Sequence, residues 1–161
     1  MPQISHCLWF DSEAEEVANF YTSIFKGGKI LSVSRYGKEG REIHGQPEGK
    51  VMVAEFEILG QKYMALNGGP IFKHSEAFSI VVTCDTQEEI DFYWDKLTAG
   101  GQVVECGWLK DKFGVSWQIT PRILGEMLNH KDTEKSQRVT HAFLRMKKFD
   151  IAELKRAFEG K

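Results

Sequence analysis

Cysteines, a surplus of one charge and long apolar runs are all scarce in this chain of 161 residues. Its three cysteines, Cys7, Cys84 and Cys106, are widely spaced, odd in number and form no CxxC pair. That excludes a disulfide framework and a cysteine-based zinc site, and points to reduced thiols in a cytoplasmic protein. Each lies in an apolar stretch, where burial raises a thiol's pKa, so all three are expected to be inert small hydrophobes. The 21 basic and 23 acidic residues leave a net charge of −2, and no basic stripe with interleaved aromatics stands out. Nucleic acid and anionic membrane are therefore not expected partners. No apolar run approaches the ~20 residues that cross a bilayer. The first residues, MPQISHCLWFD, do not read as a signal peptide, having no basic segment followed by a long apolar one.

What is present is an ordinary globular composition, 42% apolar and 27% charged, in a chain long enough for one domain or two small modules sharing a core. The residues from Ile4 to Phe10 suit a strand. Ser12-Glu13-Ala14-Glu15 then reads as a capping box that starts a helix. Val17, Phe20, Tyr21, Ile24 and Phe25 form its apolar stripe, and Gly27-Gly28 ends it. Strands are expected at Ile30–Tyr36, Val51–Leu59 and Lys62–Asn67, with a polar loop from Gly37 to Lys50. The order then repeats. Phe78–Cys84 is a strand, Thr86-Gln87-Glu88-Glu89 a second capping box, and Gly100-Gly101 a second stop, with strands at Gln102–Trp108 and Val115–Thr120. An offset of 73 residues pairs Glu15-Glu16-Val17 with Glu88-Glu89-Ile90, Phe20-Tyr21 with Tyr93-Trp94 and Gly27-Gly28 with Gly100-Gly101. We read an α+β chain of two βαβββ modules, one near residues 1–70 and one near 76–121, with a helical tail near 132–161. Asp150, with Glu153 three residues on, is expected to cap the last helix, which is too short to stand alone and must dock.

Two βαβββ modules, Phe-Tyr late in the first helix and a DxxG hairpin before the last strand resemble the vicinal oxygen chelate superfamily of glyoxalases, bleomycin-resistance proteins and extradiol dioxygenases. More narrowly, LWFDSEAEEVANFYTSIF, MALNGGPIFK, DFYWDKL and CGWLKDKFGVSWQITP are similar to the PhnB-like family, often labelled 3-demethylubiquinone methyltransferase-like. The likeness covers nearly the whole chain, the MKKFDIAELKRAF tail included. It implies a curved sheet in each module, a concave cavity where two modules pair, and a homodimer, but no particular reaction. Methyl transfer of the common kind needs a glycine-rich strand-to-helix turn in a parallel sheet. The glycine pairs here end helices instead of starting them, which argues against that activity.

Enzymes of the superfamily hold a divalent metal through the first and last strands of each module, usually with His and Glu. The matching positions are His6, its 73-residue counterpart Ser79, Gln118, and Ala65 or Met64. That is one good ligand, His6, with Gln118 as a weak neutral one, whereas a catalytic metal usually takes three protein ligands. Glu55 and Glu57 alternate with Val51 and Val53 and read as solvent-facing. No cofactor is expected, a metal at His6 and Gln118 being an incomplete set. Two functions follow. The first is a binder of a small aromatic or amphipathic molecule, held in a cavity lined by Trp9, Phe10, Tyr63, Trp108 and Trp117, with Ser79 and Gln118 as polar contacts. The second is a small-molecule enzyme, lyase, isomerase or dioxygenase, with His6 as base or metal ligand. Ser79 as nucleophile would need a base beside it. Asp111-Lys112-Phe113-Gly114 is expected to turn tightly into a strand with Val115, Trp117 and Ile119 on one face and Ser116, Gln118 and Thr120 on the other.

Overall fold

Alternation builds the first sheet. In the computed structural model, which describes all residues from Met1 to Lys161, the chain divides into two units, Met1–His74 and Ser75–Lys161. The first unit holds β1 (His6–Phe10), α1 (Ala14–Ile24), β2 (Lys29–Arg35), a one-turn helix α2 (Arg41–His44), β3 (Val51–Ile58) and β4 (Gln61–Asn67). Its sheet runs β1-β4-β3-β2, with β1 and β4 parallel and the other pairs antiparallel. Burial alternates along much of β1, β3 and β4, with Leu8, Phe10, Ala54, Phe56, Tyr63 and Ala65 among the buried residues. These meet the apolar stripe of α1: Tyr21 lies 5.9 Å from Phe56, which stacks on Tyr63 at 5.4 Å. Each such large side chain contributes about 1.5–3 kcal/mol through its removal from water. The strand β2 is exposed throughout, and two register shifts blunt it as an edge, as Lys29 and Arg35 do at its ends.

The capping box expected at Ser12 does not form. Glu13 is the N-cap of α1 and no local side chain caps it. The acceptor comes from across the unit, where Oδ1 of Asn67, the last residue of β4, takes the Ala14 amide at 2.8 Å. The Asn67 amide donates to the Val51 carbonyl at 3.0 Å, and the Tyr36 hydroxyl donates to the Asn67 carbonyl at 2.6 Å. Asn67 is only 1% exposed, so each of these bonds replaces a hydration that the fold has removed.

The second unit repeats the plan and adds to it. It comprises β5 (Ile80–Cys84), α3 (Gln87–Thr98), β6 (Gln102–Val103), β7 (Trp108–Lys110), β8 (Ser116–Pro121), α4 (Arg122–Leu128), α5 (Thr133–Phe143) and α6 (Ile151–Glu159). Its sheet runs β5-β8-β7-β6, again with one parallel pair, β5 and β8. Here the capping box is complete: Thr86 accepts from the Glu89 amide while the Glu89 carboxylate takes the Thr86 amide. Ile90, Trp94 and Leu97 bury the α3 stripe, and Ile80, Val82, Cys84, Leu109, Trp117 and Ile119 are among the buried residues of the sheet.

The strand expected over residues 102–108 is broken into β6 and β7. Cys106 and Gly107 both take positive φ, 55° and 78°, and their amides turn to the tail, bonding the Met146 and Lys147 carbonyls at 2.8 and 2.7 Å. A Cβ on Gly107 would lie 2.3 Å from the Phe149 ring, so only glycine admits this strap. Gln87 fixes the strap's far end, donating to the Phe149 carbonyl at 3.0 Å and accepting the Ile151 amide at 2.8 Å. Asp150 caps α6, and Arg138 of α5 forks onto the carbonyls of Ala157 and Phe158 that end it. The tail thus docks on its own unit.

Candidate functional site

In each unit α1 or α3 covers one face of the sheet and leaves the other open. The expected site residues divide between these faces. In the first unit His6 shares the parity of Leu8 and Phe10 and stands with them on the α1 side, its ring 5.3 Å from Tyr63. Phe10 is 4% exposed, 5.0 Å from the His74 ring, and burial raises the Tyr63 hydroxyl above its ordinary pKa. The open face carries the other set, Cys7 and Trp9 from β1, Met64 and Leu66 from β4, and Val53 and Glu55 from β3. They form two rows in register, Cys7–Met64–Glu55 and Trp9–Leu66–Val53.

Trp9 is the best-fixed aromatic of that face. Its indole donates to the Gly69 carbonyl at 2.8 Å, and Phe72 meets it edge-on at 4.9 Å. A Cβ on Gly68 would fall 2.2 Å from the indole ring, so the Asn67-Gly68-Gly69-Pro70 turn is shaped to the tryptophan. Cys7 is exposed, contrary to its expected burial, although partial desolvation still raises its thiol pKa. Cys84 is buried, and burial followed by the nearby Glu89 and Asp85 carboxylates pushes it up to about 11.

In the second unit the open face holds Val81, Thr83, Trp108, Gln118 and Thr120. The Gln118 amide donates to the Ser79 hydroxyl at 2.9 Å, and Trp108 lies directly opposite Gln118 across the β7–β8 pair. Trp117 belongs to the other face. It is wholly buried, and its indole donates to the Asp111 carboxylate at 2.9 Å. The second Asp111 oxygen accepts the Phe113 and Val115 amides, which locks the hairpin at Gly114. Trp9 thus stands on the open face of the first sheet, and Trp108, Ser79 and Gln118 on that of the second, whereas Trp117 does not.

Burial also corrects the repeat. The α1 and α3 residues keep the 73-residue offset, Tyr21 answering to Trp94 and Ile24 to Leu97, all buried. In the first strands Phe10 answers to Cys84 and Leu8 to Val82, an offset of 74, because one more residue stands between Ser12 and Ala14 than between Thr86 and Gln87. The counterpart of Ser79 is therefore Ser5 and not His6. By strand register, Gln118 opposite Val81 answers to Met64 opposite Cys7. The four positions where the superfamily places a metal then hold two hydroxyls, a thioether and an amide. No three His, Cys, Asp or Glu side chains gather into a metal-holding group. These donors do not fit a divalent chelate, and no step is assigned to a metal.

Each βαβββ unit has the vicinal oxygen chelate plan, and the chain is a member of that class of fold. It belongs to the 3-demethylubiquinone-9 3-methyltransferase family, whose model matches residues 2–120. A PhnB protein of Bacillus cereus, itself described as a 3-demethylubiquinone-9 3-methyltransferase, shares 39% identity over 74% of this chain and 99% of its own, with a TM-score of 0.66. The protein PA1353 of Pseudomonas aeruginosa has a TM-score of 0.61 at 22% identity over 75% of this chain and 98% of its own. The fosfomycin resistance protein FosX of Listeria monocytogenes, crystallised with Mn(II) and sulfate, has a TM-score of 0.53 at 16% identity over 79% of this chain and 94% of its own. No curated protein sequence matches the chain. The family match ends before α4, so the expected extension of the likeness through the tail is not part of it.

Proposed function

We propose that the protein binds a small aromatic or amphipathic molecule on the open faces of its sheets, without metal chemistry. One observation carries this reading: the Trp9 indole stands on the sheet face that α1 leaves open, in room left by Gly68 and bonded to the Gly69 carbonyl. Such an aromatic, fixed before any ligand arrives, loses little conformational freedom on binding. Trp108 offers a second aromatic surface beside the Gln118–Ser79 pair. Methyl transfer gains no support, since α1 and α3 follow Asp11-Ser12-Glu13 and Asp85-Thr86 with no glycine-rich turn. Nor does an enzyme using His6 as base, because its ring is set against Tyr63 on the α1 side.

The proposal includes a homodimer. Phe78 and Val81 at 49% and 53% exposure are apolar surface that a second copy would cover. It also includes a reducing, cytoplasmic location, which suits three unpaired thiols, and no helix is long and apolar enough to cross a membrane. The test is tryptophan fluorescence titrated with nitrobenzene and related neutral, non-fluorescent aromatics, in the parent and in Trp9→Phe. Saturable quenching that weakens in Trp9→Phe supports the reading. Quenching that is linear and equal in both proteins refutes it.

A further inference from the structure

The first sheet carries a small cavity apart from Trp9 and Phe72. It encloses about 190 Å3 beneath the segment leading into β1, and Ser5, Leu31, Glu55, Lys62, Tyr63 and Met64 are among the residues that line it. At ~30 Å3 per water it has room for about six waters, the size of one small metabolite. Two of its residues, Ser5 and Met64, are the first unit's counterparts of the Ser79 and Gln118 positions.

The charges in this cavity are paired in kind but not with each other. Glu55 sits directly opposite Met64, and Lys62 is two residues earlier on the same face of β4. Such diagonal neighbours have side chains starting about 7–8 Å apart. Glu55 Oε2 accepts the Ser32 hydroxyl at 2.8 Å, a neutral partner that orients the carboxylate and leaves Oε1 available. Glu57, directly opposite Lys62, is engaged by Lys29 at 3.3 Å, and the Lys62 ammonium enters no ion pair. A plain cation here would meet Lys62, and a plain anion would meet Glu55. A ligand carrying both charges a short distance apart answers both. Leu31 and Met64 supply an apolar wall for whatever body it has.

We propose that this cavity binds the ammonium and carboxylate of a small zwitterion, an α-amino acid or a molecule ending in one. Glu55 takes the ammonium and Lys62 the carboxylate. The inference rests on the reading of the open face as a ligand surface and names the polar end of the ligand.

Isothermal titration of the full chain tests it with L-alanine, L-leucine and L-phenylalanine, each also as its N-acetyl and its carboxamide form. Saturable binding of at least one free amino acid is expected, weakened about tenfold or more when either charge is masked, as befits a charge-assisted contact. Glu55→Gln should weaken the free amino acid similarly and leave the N-acetyl form unchanged, whereas Lys62→Gln should spare the carboxamide. Both positions lie at the surface, and circular dichroism matching the parent's establishes that the variants fold. No binding at millimolar concentration, or binding indifferent to masking or to both variants, overturns the proposal. Neutral nitrobenzene separates the two readings: if it still gives saturable, Trp9-dependent quenching, the zwitterion fails alone, and if it does not, both fail.

Discussion

The two units share one plan and hold its corresponding corner by opposite means. At the end of the parallel strand pair, Phe10 stands opposite Asn67 in the first unit and Cys84 stands opposite Pro121 in the second. Asn67 reaches across to cap α1, ties down β3 and begins the turn that fixes Trp9. Proline has no such side chain, and α3 is capped by its own Thr86 and Glu89. The polar hub of the second unit lies elsewhere, at Asp111, which closes the hairpin and holds the Trp117 indole. One unit has spent its corner on presenting an aromatic to the open face. The other has Thr83 where the first has Trp9, buries Trp117 where the first buries Tyr63, and has gained a strapped tail.

The largest test of this contrast is Asn67→Ala. It leaves the Ala14 amide and the Val51 carbonyl buried without partners, and about 3 kcal/mol should be lost in urea unfolding. A loss no larger than an exposed substitution gives would sink the idea that Asn67 organises the corner. Next comes Gly68→Ala, whose Cβ must push the indole aside. Red-shifted emission, easier acrylamide quenching of Trp9 and a cost of about 1–3 kcal/mol are expected. An unchanged spectrum would count against the turn as the indole's support. Thr86→Ala, the local cap, should cost only about 1 kcal/mol. If it matches Asn67→Ala, the two corners are not held differently after all.

Smaller effects separate the units chemically and by pH. With Ellman's reagent at neutral pH, Cys7 should react first and Cys84 only on unfolding, since Cys84 is buried and its thiol is pushed up to about 11. Equal rates would contradict that placement. The smallest effect concerns the strap. Asp91 lies 2.8 Å from Lys148, and a hydrogen bond from Lys148 holds its carboxyl below the ordinary range. A folded-state value below the unfolded one gives stability that is present above the ordinary carboxylate pKa and lost as pH falls through the lowered value. Both side chains are substantially exposed, so a few tenths of a kcal/mol are at stake. Asp91→Asn should flatten that part of the acid limb, and an unaltered limb would argue that the pair is idle.

Much of this was legible in the sequence. Helix stripes, glycine stops, the Thr86 box and the alternation of β8 are short-range patterns, and the chain folds as they direct. What stayed hidden depended on distance along the chain. Ser12 looks like a cap because nothing nearby announces that Asn67, 55 residues later, will do the work. The same extra residue before α1 that unseats Ser12 shifts the strand by one, and one residue is enough to turn His6 to the wrong face. Reading β1 backwards from the buried pair Leu8 and Phe10 would have found Ser5 and Cys7 on the open side. Glu55 was rightly seen as facing outward, but its diagonal neighbour Lys62 appears only once β3 and β4 are in register.

The Asn67 cap has a kinetic consequence. Thr86 and Glu89 lie three residues apart, so α3 can close its cap as soon as its first turn forms. Helix α1 has no cap until β4 has paired with β1 and brought Asn67 home, a contact of long sequence separation. Order should therefore spread in the second unit from its helix outward, and in the first from its sheet inward. A substitution at Asn67 would then be felt late in refolding, and one at Thr86 early.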